Sequence, residues 1–166
     1  MRAPSCLASL VAAGLVTVRA ACSDGPTGSN DLPFQAQIDG QAFVATNTDF
    51  SVSNGGGRLL ISGIRAVGTG QRQVSVQLDN WNGPGTYALG APASGALGFV
   101  TDRDASDNLL GNWETTAAAP GQVVVTSFDA TGHTIKGTFS FEVRSNTGQT
   151  LSVTQGRFMG SYFVDP

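Results

Sequence analysis

Apolar and polar residues alternate over short stretches from position 34 to the end of the chain, and turn residues separate these stretches. The longest example is Thr134–Val143, in which Ile135, Phe139 and Phe141 alternate with threonine, lysine and serine. Alternation with a period of two places one set of side chains on each face of a β-strand. No apolar pattern of helical period persists for about ten residues. The pattern therefore predicts an all-β chain.

Glycine-containing turns separate the predicted strands. Asp39 and Gly40 stand between two alternating stretches, and this pair is a strong hairpin signal because both positions tolerate positive φ. The apolar phase slips before Phe158, which predicts a bulge near Gly156. We expect about nine to eleven strands in a single antiparallel β-sandwich, with a barrel as the alternative fold.

The N-terminus has the features of an export signal. Arg2 precedes a mostly apolar run, Cys6–Val18, which is too short to cross a membrane as a helix. Two alanines then precede Cys22, and a polar segment follows it. We expect a signal peptide at residues 1–21, a lipid-attachment cysteine with a flexible tether at residues 22–32, and a β-sandwich domain at residues 33–166. The alternative is ordinary signal cleavage after Ala20, which leaves Cys22 as a free thiol.

The order of these motifs resembles the small, uncharacterised β-domain lipoproteins of Gram-negative bacteria. The resemblance spans nearly the whole chain after the signal, and it includes Cys22, Phe34-x-Ala36-x-Ile38-Asp39-Gly40, Gly85-Thr86-Tyr87 and Ile135-x-Gly137-Thr138-Phe139. It implies a lipid on Cys22 and a membrane-anchored position in the cell envelope, facing the periplasm or the cell exterior. Two positions depart from the pattern: Arg19 where the lipid-attachment motif prefers an aliphatic residue, and Phe43 where tryptophan is expected.

Charge and composition exclude several functions. The net charge is −3 and the chain contains one lysine, Lys136, so we expect no nucleic-acid partner. His133 is the sole histidine and no Gly-x-Ser-x-Gly motif occurs, which argues against a catalytic triad and a zinc site. Glu114 and Glu142 are the only glutamates. We therefore expect no enzyme activity, and a hydrolase is the least favoured function.

An aromatic residue in a polar loop is the main candidate for ligand binding. Trp81 lies between Asn80 and Asn82, and Tyr87 and Trp113 are further candidates for the same site. Exposed rings beside amides can stack on sugar rings and bond their hydroxyl groups. The alternative is that these aromatic residues cap one end of the sandwich.

An acidic segment is the one candidate site for binding a cofactor, which would be a calcium ion. Asp102, Asp104, Asp107 and Asn108 carry the oxygen ligands that calcium prefers, although their spacing lacks the glycine and the distal glutamate of an EF-hand loop. The alternative is a solvated loop, and we expect no other cofactor.

The sequence thus predicts an exported, lipid-anchored β-domain of the cell envelope that acts as a binding or structural module. Its partners would be the membrane, through the lipid on Cys22, and an envelope glycan or protein. The alternative function is a carbohydrate-binding domain assisted by calcium.

Overall fold

A computed structural model of the chain describes residues 32–53 and 57–165, so the predicted signal peptide, Cys22 and nearly all of the tether lie outside the described residues. Within the described residues no helix has the length and apolar character needed to cross a membrane. All twelve regular elements are strands: β1 (Phe34–Ile38), β2 (Gln41–Val44), β3 (Asn47–Ser53), β4 (Leu59–Val67), β5 (Gly70–Leu78), β6 (Gly85–Leu89), β7 (Ala96–Arg103), β8 (Leu109–Glu114), β9 (Gly121–Asp129), β10 (Thr134–Ser145), β11 (Thr150–Ser161) and β12 (Phe163–Asp165).

The strands form one mixed sheet that is not closed and that folds over on itself like a sandwich. Its first half has the strand order β12-β3-β4-β5-β7-β8, and its second half has the order β6-β9-β10-β11-β1-β2. A short pairing of β8 with β10 joins the two halves. The all-β prediction is confirmed, with one strand more than the upper end of the predicted range.

The predicted antiparallel pairing has one exception at an edge of the sheet, where β12 pairs with β3 in parallel. Only Tyr162 separates β12 from β11, so the chain has no room for a hairpin between them. The Tyr162 side chain is 6% exposed, and its N–H donates to the His133 carbonyl oxygen. This inward turn ends β11 and sends the last three-residue strand to the other half of the sheet.

Two local predictions are confirmed. Asp39 and Gly40 have φ of 48° and 76°, and Ile38 pairs directly with Gln41, as a two-residue hairpin requires. In β11 the register with β10 shifts just before Gly156, at Gln155, whose φ is 53°. This is the predicted bulge.

The core lies between the two halves, and glycines let the halves approach. A Cβ atom on Gly63 in β4 would lie 2.3 Å from the Phe34 ring of β1, and one on Gly98 in β7 would lie 3.1 Å from the Phe141 ring of β10. At these two positions the second half contributes phenylalanine rings over glycines of the first half, and Phe50 of the first half lies in the same way over Gly160 of β11. Burial of each such ring contributes about 1.5–3 kcal/mol.

Candidate binding surface

Trp81 follows β5 and lies against the core. Its side chain is 5% exposed, and its ring meets Phe128 edge to face with 4.5 Å between centroids. Phe128 in turn stacks on Tyr162 at 4.8 Å. The indole Nε1 is buried and has no hydrogen-bond partner. Trp81 therefore caps this end of the sandwich, and a sugar could stack on its ring only if the loop opened.

The other predicted ligand-binding residues fall into separate places. The Tyr87 hydroxyl donates to the Gly83 carbonyl oxygen at 2.5 Å and lies 2.9 Å from Asn82 Oδ1, so Tyr87 and Asn82 brace their own loop. Asn80 is exposed beside them. Trp113 lies in β8 opposite Val100 and packs against a different part of the core. The five residues do not line one surface.

The predicted calcium ligands are engaged by other side chains and backbone groups. Asp102 accepts two hydrogen bonds of 2.6 Å from the Arg72 guanidinium, and this pairing holds the pKa of Arg72 above its usual value. Asp104 accepts hydrogen bonds from the side chain and backbone of Asn108, which lower the pKa of its carboxyl group. Asp107 lies 3.6 Å from the Arg103 guanidinium.

These contacts join the acidic segment to Arg72 of β5 and to other residues of its own hairpin loop. Over residues 32–53 and 57–165, the acidic, histidine and cysteine side chains form no group of three that could hold a metal ion. Calcium binding stays a prediction, and a calcium ion that used Asp102 would have to displace an arginine.

The side of the first half that faces away from the core carries an unpredicted surface. Residues directly opposite each other on neighbouring strands share a face, and the register of β12, β3, β4, β5, β7 and β8 gives three rows. We call this surface the Phe99 face. Its rows are Phe163, Ser51, Leu60, Gln77 and Leu97; Asp49, Ser62, Ser75, Phe99 and Glu114; and Asn47, Ile64, Gln73, Thr101 and Asn112.

Serine hydroxyl groups are buried at the centre of the Phe99 face. Ser62 is 0% exposed and Ser75 is 7% exposed, and their Oγ atoms are 3.0 Å apart. The Gln73 amide donates to Ser62 Oγ at 2.7 Å. Larger side chains on the neighbouring strands cover these serines. One of them is Phe99, which stands directly opposite Ser75. The base of this face is therefore a fixed hydrogen-bonded layer.

One oxygen in this layer lacks a donor. Asp49 stands directly opposite Ser62, and its Oδ1 is buried with no hydrogen-bond partner. A buried acceptor without a partner costs about 1–3 kcal/mol. A ligand or water hydroxyl that reached Asp49 would recover that free energy.

The Phe99 face combines half-buried apolar side chains with neutral polar groups. Leu60, Ile64, Leu97 and Phe99 are each partly exposed, and amides and hydroxyl groups lie between them. A sequence signal for this surface exists, because β4 is apolar on both of its faces. Such a strand is typical of the centre of a sheet covered on both sides, so the sequence alone indicates a central strand rather than a ligand surface.

A family model described as "Domain of unknown function (DUF6252)" matches residues 30–160. The chain belongs to this family. The match covers every strand except β12 and the end of β11, so the Phe99 face lies within it apart from Phe163. Separate searches of the curated proteins and of the solved structures found no match to the chain.

Proposed function

We propose that this member of the family is an exported, lipid-anchored binding module of the bacterial cell envelope. The apolar run before Cys22 and the polar segment after it support export and an anchor. The Phe99 face supports binding, since it presents partly exposed apolar side chains beside neutral amides and hydroxyl groups. A tether of about ten residues would allow the domain to reach about 15–20 Å from the membrane.

The Phe99 face is the observation that carries the binding role. It has a ring and aliphatic side chains for contact area, and it has amides and hydroxyl groups for direction, which is the usual composition of a ligand site. Its two carboxylates, Asp49 on β3 and Glu114 on β8, have three strands between them. The centre of the face is neutral.

A carbohydrate is the ligand class that we favour for this face. Sugars present apolar ring faces and hydroxyl groups together, and they carry no charge that would need an arginine or lysine partner. Phe99 would contact the ring of a sugar, while Gln73, Thr101 and Asn112 would bond its hydroxyl groups. We therefore propose the Phe99 face, rather than the Trp81 loop, as the glycan site.

The anchor can be tested by cell fractionation. Cys22→Ser should move the protein from the membrane fraction to the soluble envelope fraction, because the thiol proposed to take the lipid is removed. Cys6→Ser is the matched control and should leave the membrane association unchanged. Membrane association that survives Cys22→Ser would refute the lipid anchor.

The binding role can be tested by affinity electrophoresis in gels that contain neutral polysaccharides or solubilised peptidoglycan. We expect retardation of the wild type by at least one of these polymers, and a loss of at least tenfold in affinity for Phe99→Ser. Val124→Ser is the control, because Val124 is a partly exposed apolar residue of β9 in the second half. If Phe99→Ser is retarded as strongly as the wild type, or if no polymer retards the wild type, the carbohydrate role is wrong.

A further inference from the structure

The chain enters the described fold through the second half of the sheet, beside β11. Residues 32 and 33 precede β1, and the Pro33 carbonyl oxygen accepts a hydrogen bond of 2.8 Å from the Met159 N–H. Phe34, the next residue, is 0% exposed and belongs to the core. The tether proposed above therefore joins the domain next to Met159.

Exposed apolar and basic side chains surround this entry. Met159 and Val44 are each 37% exposed. Lys136 stands directly opposite Met159, and Arg157 and Val44 stand on either side of Gln35 in one row of the register. Buried residues alternate with these positions along β2, β10 and β11, so the side chains lie on the outer side of the second half. We call this surface the Met159 face, and it consists of Pro33, Val44, Lys136, Arg157 and Met159.

The Met159 face is basic, although the chain as a whole has a net charge of −3. It contains Arg157 and the only lysine of the chain, Lys136. The nearest acid on this half of the sheet is Asp129, which stands opposite Thr134 at the start of β10. The Asp129 carboxylate accepts two hydrogen bonds from the backbone of its own turn. Basic groups beside exposed apolar side chains are the combination that binds the headgroup layer of an anionic membrane.

We propose that the Met159 face lies on an anionic phospholipid membrane, and that the Phe99 face, on the opposite side of the sandwich, points away from it. Lys136 and Arg157 attract the lipid phosphates, and Met159 and Val44 enter the headgroup layer. This orientation rests on the lipid anchor proposed above, and it leaves the Phe99 face open to polymers of the envelope.

The length of the tether favours this orientation over the reverse one. Residues 23–31 separate Cys22 from the described residues, and a flexible chain of this length spans about 15–20 Å, or about 30 Å when fully extended. The two sheets of a sandwich pack about 10 Å apart, and a layer of side chains covers each outer side. A tether that starts beside Met159 therefore reaches round to the Phe99 face only when it is nearly extended.

Oxidation of Met159 by hydrogen peroxide can measure contact at this face. The protein used is the chain from Cys22 onward, which contains every described residue and in which Met159 is the only methionine and Cys22 the only cysteine. Its thiol is coupled to a maleimide lipid in vesicles, so that an anchor is present whether or not cells attach one. Leu60→Met adds a reference methionine at a partly exposed position of the Phe99 face.

Peptide mass spectrometry then gives the rate of sulfoxide formation at both positions. On vesicles that contain phosphatidylglycerol, we expect oxidation of Met159 to slow by roughly fivefold or more relative to the same chain in solution with a blocked thiol. The rate at position 60 should not change, because that side of the domain stays in water.

Charge reversal tests the role of the basic side chains. Lys136→Glu should bring the oxidation rate of Met159 on these vesicles to within about twofold of its rate in solution, because the carboxylate is repelled by the lipid phosphates. Arg144→Glu is the matched control, since Arg144 is an exposed residue at the other end of the same strand, and it should leave the protection of Met159 in place. Both variants should keep the circular dichroism of the parent chain.

The proposal is overturned if Met159 is oxidised as fast on the vesicles as in solution, if positions 60 and 159 are protected equally, or if the two charge reversals act alike. Slower oxidation of Met159 in concentrated solution without vesicles would overturn it in favour of a second copy of the chain on this face. These results leave the lipid on Cys22 to the fractionation test, because the maleimide coupling supplies the anchor here.

Discussion

The two halves of the sheet share one core, yet most of the phenylalanine rings in that core come from the second half. The second half directs Phe34, Phe139, Phe141 and Phe158 into the core, where each is 3% exposed or less. Its outer side carries hydroxyl, amide and charged groups around a shallow depression of about 380 Å³. The first half fills its share of the core mainly with aliphatic residues and glycines, with Phe50 and Trp113 as aromatic members, and it holds Phe99 on its outer side.

Rings at these two kinds of position contribute to different properties: a core ring contributes to stability, and an outer ring is available for binding. A ring in the core removes apolar area from water and stabilises the fold, whereas a ring on the outer face gains that free energy only when something covers it. We therefore expect substitutions in the second half to change the stability of the domain most. Substitutions on the Phe99 face should change binding more than folding.

The largest expected difference in the free energy of unfolding is between a core ring of the second half, Phe158, and the outer ring of the first half, Phe99. Phe158→Ala should lower the free energy of unfolding by about 3–5 kcal/mol, because Phe158 is 1% exposed and contacts the Phe50 and Phe139 rings. Phe99→Ala should cost about 1 kcal/mol, as for a half-exposed position. Urea denaturation measures both values, and similar losses would show that the Phe99 face is part of the stabilising core.

Two glycines that meet the same residue, Phe141, sharpen the comparison. On Gly121 in the second half, a Cβ would lie 2.1 Å from the Phe141 Cβ and 2.7 Å from the Ser140 carbonyl oxygen. Gly121→Ala should therefore cost about 2–3 kcal/mol, since backbone atoms have to move. On Gly98 in the first half, the same atom would lie 3.1 Å from the flat ring of Phe141, so Gly98→Ala should cost about 1 kcal/mol or less.

Gly57 is the control for this pair, because nothing lies within 4 Å of a Cβ there. Thermal unfolding of the three alanine variants should rank Gly121 as the most destabilised, then Gly98, then Gly57. The reverse order for Gly121 and Gly98 would mean that the two halves cannot shift relative to each other.

The ion pairs of the first half should contribute less. Asp102→Ala should cost about 1–2 kcal/mol, because it leaves the Arg72 guanidinium partly buried without its bidentate acceptor. Asp107→Ala should cost almost nothing, since Asp107 is 73% exposed and lies 3.6 Å from its arginine. Chemical denaturation at low and high salt compares them, and equal losses would argue against a structural role for the Arg72 pair.

The smallest effect is expected from one hairpin loop in each half. Asp104, directly after β7, accepts hydrogen bonds from the side chain and backbone of Asn108, and Asp129, the last residue of β9, accepts them from the backbone of Gly132 and Thr131; these bonds lower the pKa of both carboxyl groups. A lowered pKa in the folded state contributes stability that is present above the ordinary aspartate pKa, near 4, and is lost as the pH falls through the folded value.

Asp104→Asn and Asp129→Asn should therefore reduce the loss of stability between pH 5 and about pH 2 while keeping the turns. Denaturation midpoints across this range measure the change, with Asp79→Asn as a control whose carboxylate binds only side chains. A variant as sensitive to acid as the wild type would show that its carboxyl group does not contribute.

The sequence by itself determined the strands, the Asp39-Gly40 hairpin and the bulge beside Gly156. These features depend on side-chain alternation and on backbone freedom at neighbouring residues, which are local properties of the chain. The N-terminal export signal and the lipid on Cys22 stay predictions, since they lie outside the described residues.

Only the tertiary structure decided which side chains meet. Asp102 looks like a metal ligand in the sequence, but it pairs with an arginine 30 positions away. Trp81 stands among asparagines, yet its ring rests on Phe128, and Phe99 is placed on an outer face by the register of five neighbouring strands. The physical reason is that a side chain's burial and partners depend on strands distant in the sequence, and the order in which those strands pair is not a local property.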